Sequence, residues 1–366
     1  FKDNYVPKPK SGILVLKNKE VSSNDFINKE NSRPYFIYQG GYTCGHLIMA
    51  GCLFKNCFSG DEGGGGIFVS QHENIIIHET LFDGCHSTGF AGGCCCICGK
   101  RVKYVDISIL IDEHLPQADI QYCCFQNCYG ANNITMGAAL YIAAVDMNLN
   151  YTSSTNCSCI MRCRGAQFDI QSERPTSEHM NITNGISKFC GSMEYRNSIV
   201  GYFRFQTILN ISAKFISAFP YSQMNDVAVT HCNYISNVVK KINIYDYSSL
   251  IYFGDNLIVE YLYFINNEFV EDLSYFVSRM TNKSGIITMR NCYFDNPNPN
   301  KYIKEYAIYY SCFLGNIDFT QCSLIHISLG VCVGNKTAEQ LLITNTFTPS
   351  LNFTQSFDFT NSIVFS

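Results

Sequence analysis

One short phrase returns along this chain, and a recurring unit narrows the available folds more than any bulk property. Between Leu47 and Cys98 it is written twice: two apolar residues at alternate positions, then a small residue, Thr or Cys, then Phe, then Cys three residues after the Phe. With Phe54 as the zero position, Leu47, Met49 and Cys52 stand at minus seven, minus five and minus two. The same frame fits Ile75, Ile77, Thr80 and Phe82, then Ala118, Ile120, Cys123 and Phe125, then Val227, Val229, Cys232 and Tyr234. It continues through Asn256, Ile258, Tyr261 and Tyr263, with Asn256 a polar misfit. Ile287, Met289, Cys292 and Phe294 follow, and Ile317, Phe319, Cys322 and Leu324 make the seventh copy. The zero positions are separated by 28, 43, 109, 29, 31 and 30 residues. The gap of 109 has room for three or four further units, with Ile160, Phe189 and Phe215 as candidates.

Apolar residues that alternate over four to eight positions signal strands rather than helices. Glycine-led segments follow the phrases and align as GGIFVS (65–70), GGCCCI (92–97), GAALYI (137–142) and GAQFDI (165–170). The fourth column (Phe68, Cys95, Leu140, Phe168) and the sixth (Ser70, Ile97, Ile142, Ile170) are mostly apolar, so they are expected to face the core. Two strands per unit of about 30 residues, with no helical period, predict an all-β, right-handed parallel β-helix with loop insertions. Phe54, Phe82 and Phe125 would then stack in its interior. The glycine run 63–66 reads as a tight coil corner, because no Gly-Lys-Ser/Thr follows it to make a phosphate loop.

Residues 1–43 hold no copy of the phrase; SGILVL predicts a first strand, and the segment is expected to cap the solenoid. Residues 44–332 form the β-helix repeats, with the segment 99–117 leaving it as an excursion with its own strand. Residues 333–366 continue or end the coils. A formal charge of −4 and 15% charged residues leave no basic footprint for nucleic acid. No apolar run is long enough to cross a membrane, so a membrane is reached only through segments absent from this chain. The chain opens on Phe1 and stops on FTNSIVFS, from which we expect a processed or partial chain.

The pairing of Phe54–Cys57 with Gly65–Ile67, and its recurrence over roughly 47–330, resembles two groups of pectin-lyase-like β-helix proteins. These are the surface proteins of trichomonad protists and the polymorphic outer-membrane protein repeats of chlamydiae. The resemblance implies a non-catalytic structural or adhesive surface protein, extracellular or at the cell surface, that presents loops and glycans and self-associates or binds glycan ligands. The alternatives within that class are a polysaccharide lyase or glycoside hydrolase, and a non-catalytic carbohydrate-binding β-helix.

A hydrolase needs two placed carboxylates. Of a polygalacturonase-like set only Asn316-Ile317-Asp318 and Arg101-Val102-Lys103 match, in the wrong order; Gly45-His46 lacks its second glycine. Asp61-Glu62 reads as a turn, and Asp106, Asp112 and Glu113 as a solvated loop. No catalytic residue, metal or cofactor is therefore expected. Cys95-x-x-Cys98 has half a zinc spacing without a second half. The columns put Cys94, Cys96 and Cys98 on the outer face and Cys95 inside.

The cysteines expected to supply disulfides, with buried thiols as the other reading, are Cys52, Cys57, Cys85, Cys94, Cys96, Cys98, Cys123, Cys128, Cys157 and Cys163. Candidate N-glycosylation sites are Asn133, Asn150, Asn156, Asn181, Asn210, Asn282, Asn335 and Asn352. Sequons and cysteines together favour a secreted or surface protein.

Overall fold

The computed structural model describes residues 46–295 except 60–62, 71–72, 90–91, 99–103, 106–107, 110–114, 132–134, 160–166, 188–189, 197, 214–225, 240–247, 254–255, 270–273 and 280–286. It also describes the strands Ile13–Lys17, Glu20–Ser22, Tyr35–Ile37, Ala307–Tyr310 and Phe313–Leu314.

Among the described residues the chain is all-β, and its sheets stack in parallel as a β-solenoid. The long sheet takes His46–Ala50, Asn74–His78, Gln117–Gln121, Leu140–Asn150, Phe168–Glu178, Val200–Arg204, Asp226–Thr230, Asn256–Glu260 and Ile287–Arg290 in chain order. A second sheet stacks the short strands that follow each of these, from Leu53–Lys55 to Tyr293–Phe294. Alternation decides which side is core: in His46–Ala50, Leu47 and Met49 are buried while their neighbours are half-buried. Within the segment 99–117, Tyr104–Val105 pairs antiparallel with Ser108–Ile109 in a two-stranded sheet of its own. At the other end of the array, Ile13–Lys17 lies in register with His46–Ala50 and places Leu14 beside Leu47.

Two of the corners of each coil are built around a left-handed residue. A residue with left-handed backbone makes the turn, and where the next residue is Cys or Thr its inward side chain bonds the carbonyl two residues back, which also accepts a backbone N–H from the preceding coil. At the first corner the left-handed residues include Gly51, Glu79, Tyr122, Tyr151, His179, Phe205, His231 and Tyr261. Thr80 Oγ1 then donates to the His78 carbonyl at 2.8 Å, Thr152 to Asn150 at 2.9 Å, and Cys232 Sγ to Thr230 at 3.1 Å. At the second corner Asn56, Gly84, Asn127, Asn156, Asn184, Asn210, Ser236 and Asn266 make the turn. There Cys128 Sγ donates to the Gln126 carbonyl at 3.3 Å, and Cys157 Sγ to Thr155 at 3.5 Å. Cys and Thr recur at these positions because each is a small inward donor.

The register corrects four readings. The interior ladder runs Phe54, Phe82, Phe125, Ser154, Ile182, Ile208, Tyr234, Phe264 and Phe294. Phe264, not Tyr263, holds the interior place, so the frame of that coil is Leu257, Val259, Leu262 and Phe264, all buried. The misfit at Asn256 was the mark of a one-residue slip, which moves every side chain to the other face. In the gap of 109, Ser154, Ile182 and Ile208 hold the ladder positions, whereas Ile160, Phe189, Phe215 and the seventh copy lie outside the described residues.

The glycine-led segments are also shifted at one end: Cys95 pairs with Ile67 rather than Phe68, and Ile67 and Val69 are the buried residues there. Finally, Cys94 packs in the main core, not on the outer face. It precedes the strand Cys95–Cys98, in the corner, where strand alternation does not apply. The corner itself needs glycine: a Cβ on Gly65 would meet the His86 carbonyl oxygen at 1.9 Å.

Candidate functional site

The outer face of the long sheet holds a groove of about 640 Å³ across five successive coils. Pairing registers fix its two outward columns. One runs His46, Asn74, Gln117, Asp146 and Arg174; the next runs Ile48, Ile76, Asp119, Asn148 and Thr176. Side chains on adjacent coils stand about 4.8 Å apart, close enough for neighbours to bond directly.

They do so throughout the groove. Asp119 accepts from Gln121 Nε2 at 2.8 Å, Asn148 Nδ2 at 2.9 Å and His78 Nε2 at 3.2 Å. Asp146 takes Arg174 through Nε at 2.6 Å and Nη2 at 3.0 Å, and Gln117 at 3.5 Å. Asn74 bonds His46 at 3.1 Å, and Thr176 donates to Asn148 Oδ1 at 3.1 Å. Both carboxylates are thus engaged by donors of this chain. The rest of the lining is the amides of Asn74, Gln117 and Asn148, the His46 imidazole, the Thr176 hydroxyl and the Arg174 guanidinium, together with the apolar Ile75, Ile76, Ala118 and Met147.

A second polar cluster is closed to solvent. Tyr141, Asp169 and Glu194 occupy one outward column of neighbouring coils and are fully buried. Arg196 Nη2 sits 2.5 Å from both Asp169 oxygens, with Nε 3.6 Å from Glu194 Oε1. Burial opposes the Arg196 charge, yet Asp169 and Glu194 hold its guanidinium above its ordinary value. Cys96, Cys98, Met136 and Ala143 pack beside Tyr141 in a small cluster separate from the main core. The sequence reading passed over Glu194 and Arg196, although CGSMEYR (190–196) aligns with GAQFDIQ (165–171) and would have shown them.

Of the candidate cysteines, Cys85, Cys94, Cys98, Cys123, Cys128 and Cys157 are buried thiols, as is Cys95. Cys52, Cys57 and Cys96 are buried too, and Cys163 lies outside the described residues. Burial pushes the Cys123 and Cys232 thiols up to about 12, and takes Cys94, Cys95 and Cys128 well above the ordinary thiol value. Cys124, not singled out from the sequence, is disulfide-bonded. On the strand Cys124–Gln126 it is Phe125 that points inward, so Cys124 stands on the outer face.

Among the sequons, Asn156 and Asn210 are exposed left-handed corner residues, bonded through Nδ2 to Asn127 at 3.3 Å and Asn184 at 2.7 Å. Asn150 is half-buried and accepts the Glu178 N–H at 3.0 Å, while Asn181 is 2% exposed. Asn133, Asn282, Asn335 and Asn352 lie outside the described residues. So do Gly45, Asp61, Glu62, Arg101, Lys103, Asp106, Asp112, Glu113 and Asp318; His46, by contrast, lines the groove.

No family model, curated protein or solved structure matches this chain.

Proposed function

We propose that this chain is a non-catalytic, adhesive surface β-solenoid whose long-sheet groove binds uncharged, hydroxyl-rich glycans. The observation that carries this reading is the engagement of Asp119 and Asp146 by neighbouring donors, while three amides, the Thr176 hydroxyl, the His46 imidazole and apolar side chains line the rest of the trough. A carboxylate tied to several neighbouring donors is a poorer proton shuttle than a free one, whereas ordered amides suit the hydroxyls of a sugar chain. Two aspartates against one arginine leave the groove with excess negative charge, which disfavours uronate or sulfate polymers. The resemblance to trichomonad-type and chlamydial β-helix proteins, the pectin-lyase-like class and the exposed sequon residues Asn156 and Asn210 support a secreted or cell-surface setting.

A second reading draws on the same groove, since carboxylates and an arginine from successive coils are what a polysaccharide lyase or glycosidase would present. Titration calorimetry with cellohexaose and chitohexaose, followed by mass spectrometry of the sugar, separates the two. We expect binding that Asn148→Ala and Arg174→Ala weaken, with the oligosaccharide recovered intact. Shortened products from these sugars, or unsaturated products from oligogalacturonate incubated alongside, that Asp119→Asn abolishes would establish the enzyme instead. Failure of every neutral oligosaccharide to bind would remove the glycan reading.

A further inference from the structure

A row of stacked rings runs along the first corner of the solenoid: Tyr122, Tyr151, His179, Phe205, His231 and Tyr261. Each is the left-handed residue of its coil, with φ between 48° and 55°. Successive ring centroids are 4.4 to 5.2 Å apart. A left-handed turn costs a non-glycine residue about 1–2 kcal/mol. Stacking against the coils above and below offsets that cost and explains how aromatic residues persist there. The three tyrosines remain 37–43% exposed.

Stacking uses the ring faces, so the ridge offers edges to solvent and gives a sugar no open aromatic face. What it does offer is a straight edge with the repeat of the solenoid. A second copy of this chain has the same repeat, and two such ridges laid side by side stay in step over their length.

The residue before each ring forms the next outward column: Gln121, Asn150, Glu178, Arg204, Thr230 and Glu260. Turn a second copy end for end and set ridge against ridge, with the twofold axis between the coils of His179 and Phe205. Glu178 then faces Arg204 of the other copy, Asn150 faces Thr230, and Gln121 faces Glu260. On the ridge itself Tyr151 faces His231, Tyr122 faces Tyr261, and His179 faces Phe205. No like charges meet, and phenol stands opposite imidazole.

We infer that two copies associate antiparallel along this ridge, through an isologous contact centred on Glu178 and Arg204. The contact spans the six coils, about 24 Å at the spacing of stacked strands. At a width of roughly 20 Å it buries about 500 Å² per copy, less than the ~800 Å² of a stable complex, so the dimer is weak. The inference does not depend on the groove, which lies on a neighbouring strip of the sheet.

Within one chain Arg204 already bonds Glu178 through Nε at 2.8 Å and Nη2 at 2.5 Å, so the test must separate that pair from the contact between copies. Sedimentation velocity from micromolar to millimolar concentration does so with Glu178→Arg and Arg204→Glu, each checked for folding by circular dichroism. We expect the unmodified chain to dimerise and each variant alone to dimerise about tenfold more weakly. An equimolar mixture of the two variants should recover dimerisation, because both contacts between copies become Arg–Glu while the pair inside each chain stays broken. Tyr261→Ser should weaken the dimer without touching that pair. A chain monomeric at millimolar concentration, variants that associate as the unmodified chain does, or a mixture no better than its components would overturn the inference.

Discussion

Phe82→Ala tests the packing that holds the coils together. Phe82 is fully buried; its ring lies 5.0 Å from Phe54 at 13° and 4.9 Å from Phe125 at 4°. Truncating a buried Phe to Ala costs about 3–5 kcal/mol, and stacked pairs each account for ~0.5–1.5 kcal/mol of such losses. With both faces occupied we expect about 4 kcal/mol. Phe82→Leu keeps most of the volume and loses the stacking, so it should cost about 1–2 kcal/mol. The comparison is Phe58→Ala, on the third side of the coil, where a half-buried ring tilts at 38° against His86; about 1 kcal/mol is expected there. Urea titrations followed by far-ultraviolet circular dichroism give the three values, and hydrogen exchange locates the loss among the coils of Phe54, Phe82 and Phe125. If Phe82→Ala falls within about 1 kcal/mol of the unmodified chain, or costs no more than Phe58→Ala, the interior ladder is not where the register puts it.

Cys123 donates to the Gln121 carbonyl at 3.3 Å in a position where other coils use Thr80 and Thr152; Cys123→Thr should therefore be close to neutral and Cys123→Ala should lose about 1 kcal/mol in the same titration. Because burial suppresses their ionisation, Cys95, Cys123 and Cys232 should stay silent to an aromatic disulfide reagent until urea unfolds the coils, and rapid labelling of these three in the native chain would contradict this. Secreted from a eukaryotic host, the chain should bear glycans at Asn156 and Asn210 and none at Asn181; glycopeptide mapping that finds Asn181 occupied in folded protein would refute the burial argument. Burial holds His179 and His231 below the usual imidazole value, with Arg204 adding to the effect at His231. As pH falls through the ordinary imidazole range the unfolded chain takes up protons before the folded one, so the urea midpoint should drop from pH 7 to below 6. The slope should be shallower in His179→Phe/His231→Phe, and an unchanged slope would exclude these residues as its source.

How much of this was legible depends on what fills the interior of each coil. Where Phe54, Phe82 and Phe125 stack, apolar alternation and a fixed offset to Cys gave away both strand and register. Between Ala143 and Asp226 the interior turns polar: Ser154 bonds Gln167, Thr183 bonds Thr155 at 2.9 Å, and Gln206 bonds Ser177 at 2.9 Å. These residues satisfy one another across coils that are adjacent in space but distant in sequence, so a hydrophobic pattern cannot find them. The groove was hidden for a related reason. Asp119, Asp146 and Arg174 form no motif along the chain, and only the parallel register sets them side by side. The cysteines that recur in the phrase, such as Cys128, Cys157 and Cys232, are small donors at coil corners, a role that only the backbone turn reveals.

A crystal structure of the chain soaked with chitohexaose or cellohexaose tests the central claim most directly. The account predicts an intact oligosaccharide lying in the groove between His46 and Thr176, bonded to Asn74, Asn148 and Arg174. A cleaved sugar at Asp119 and Asp146, or one bound elsewhere with this groove empty, would contradict it.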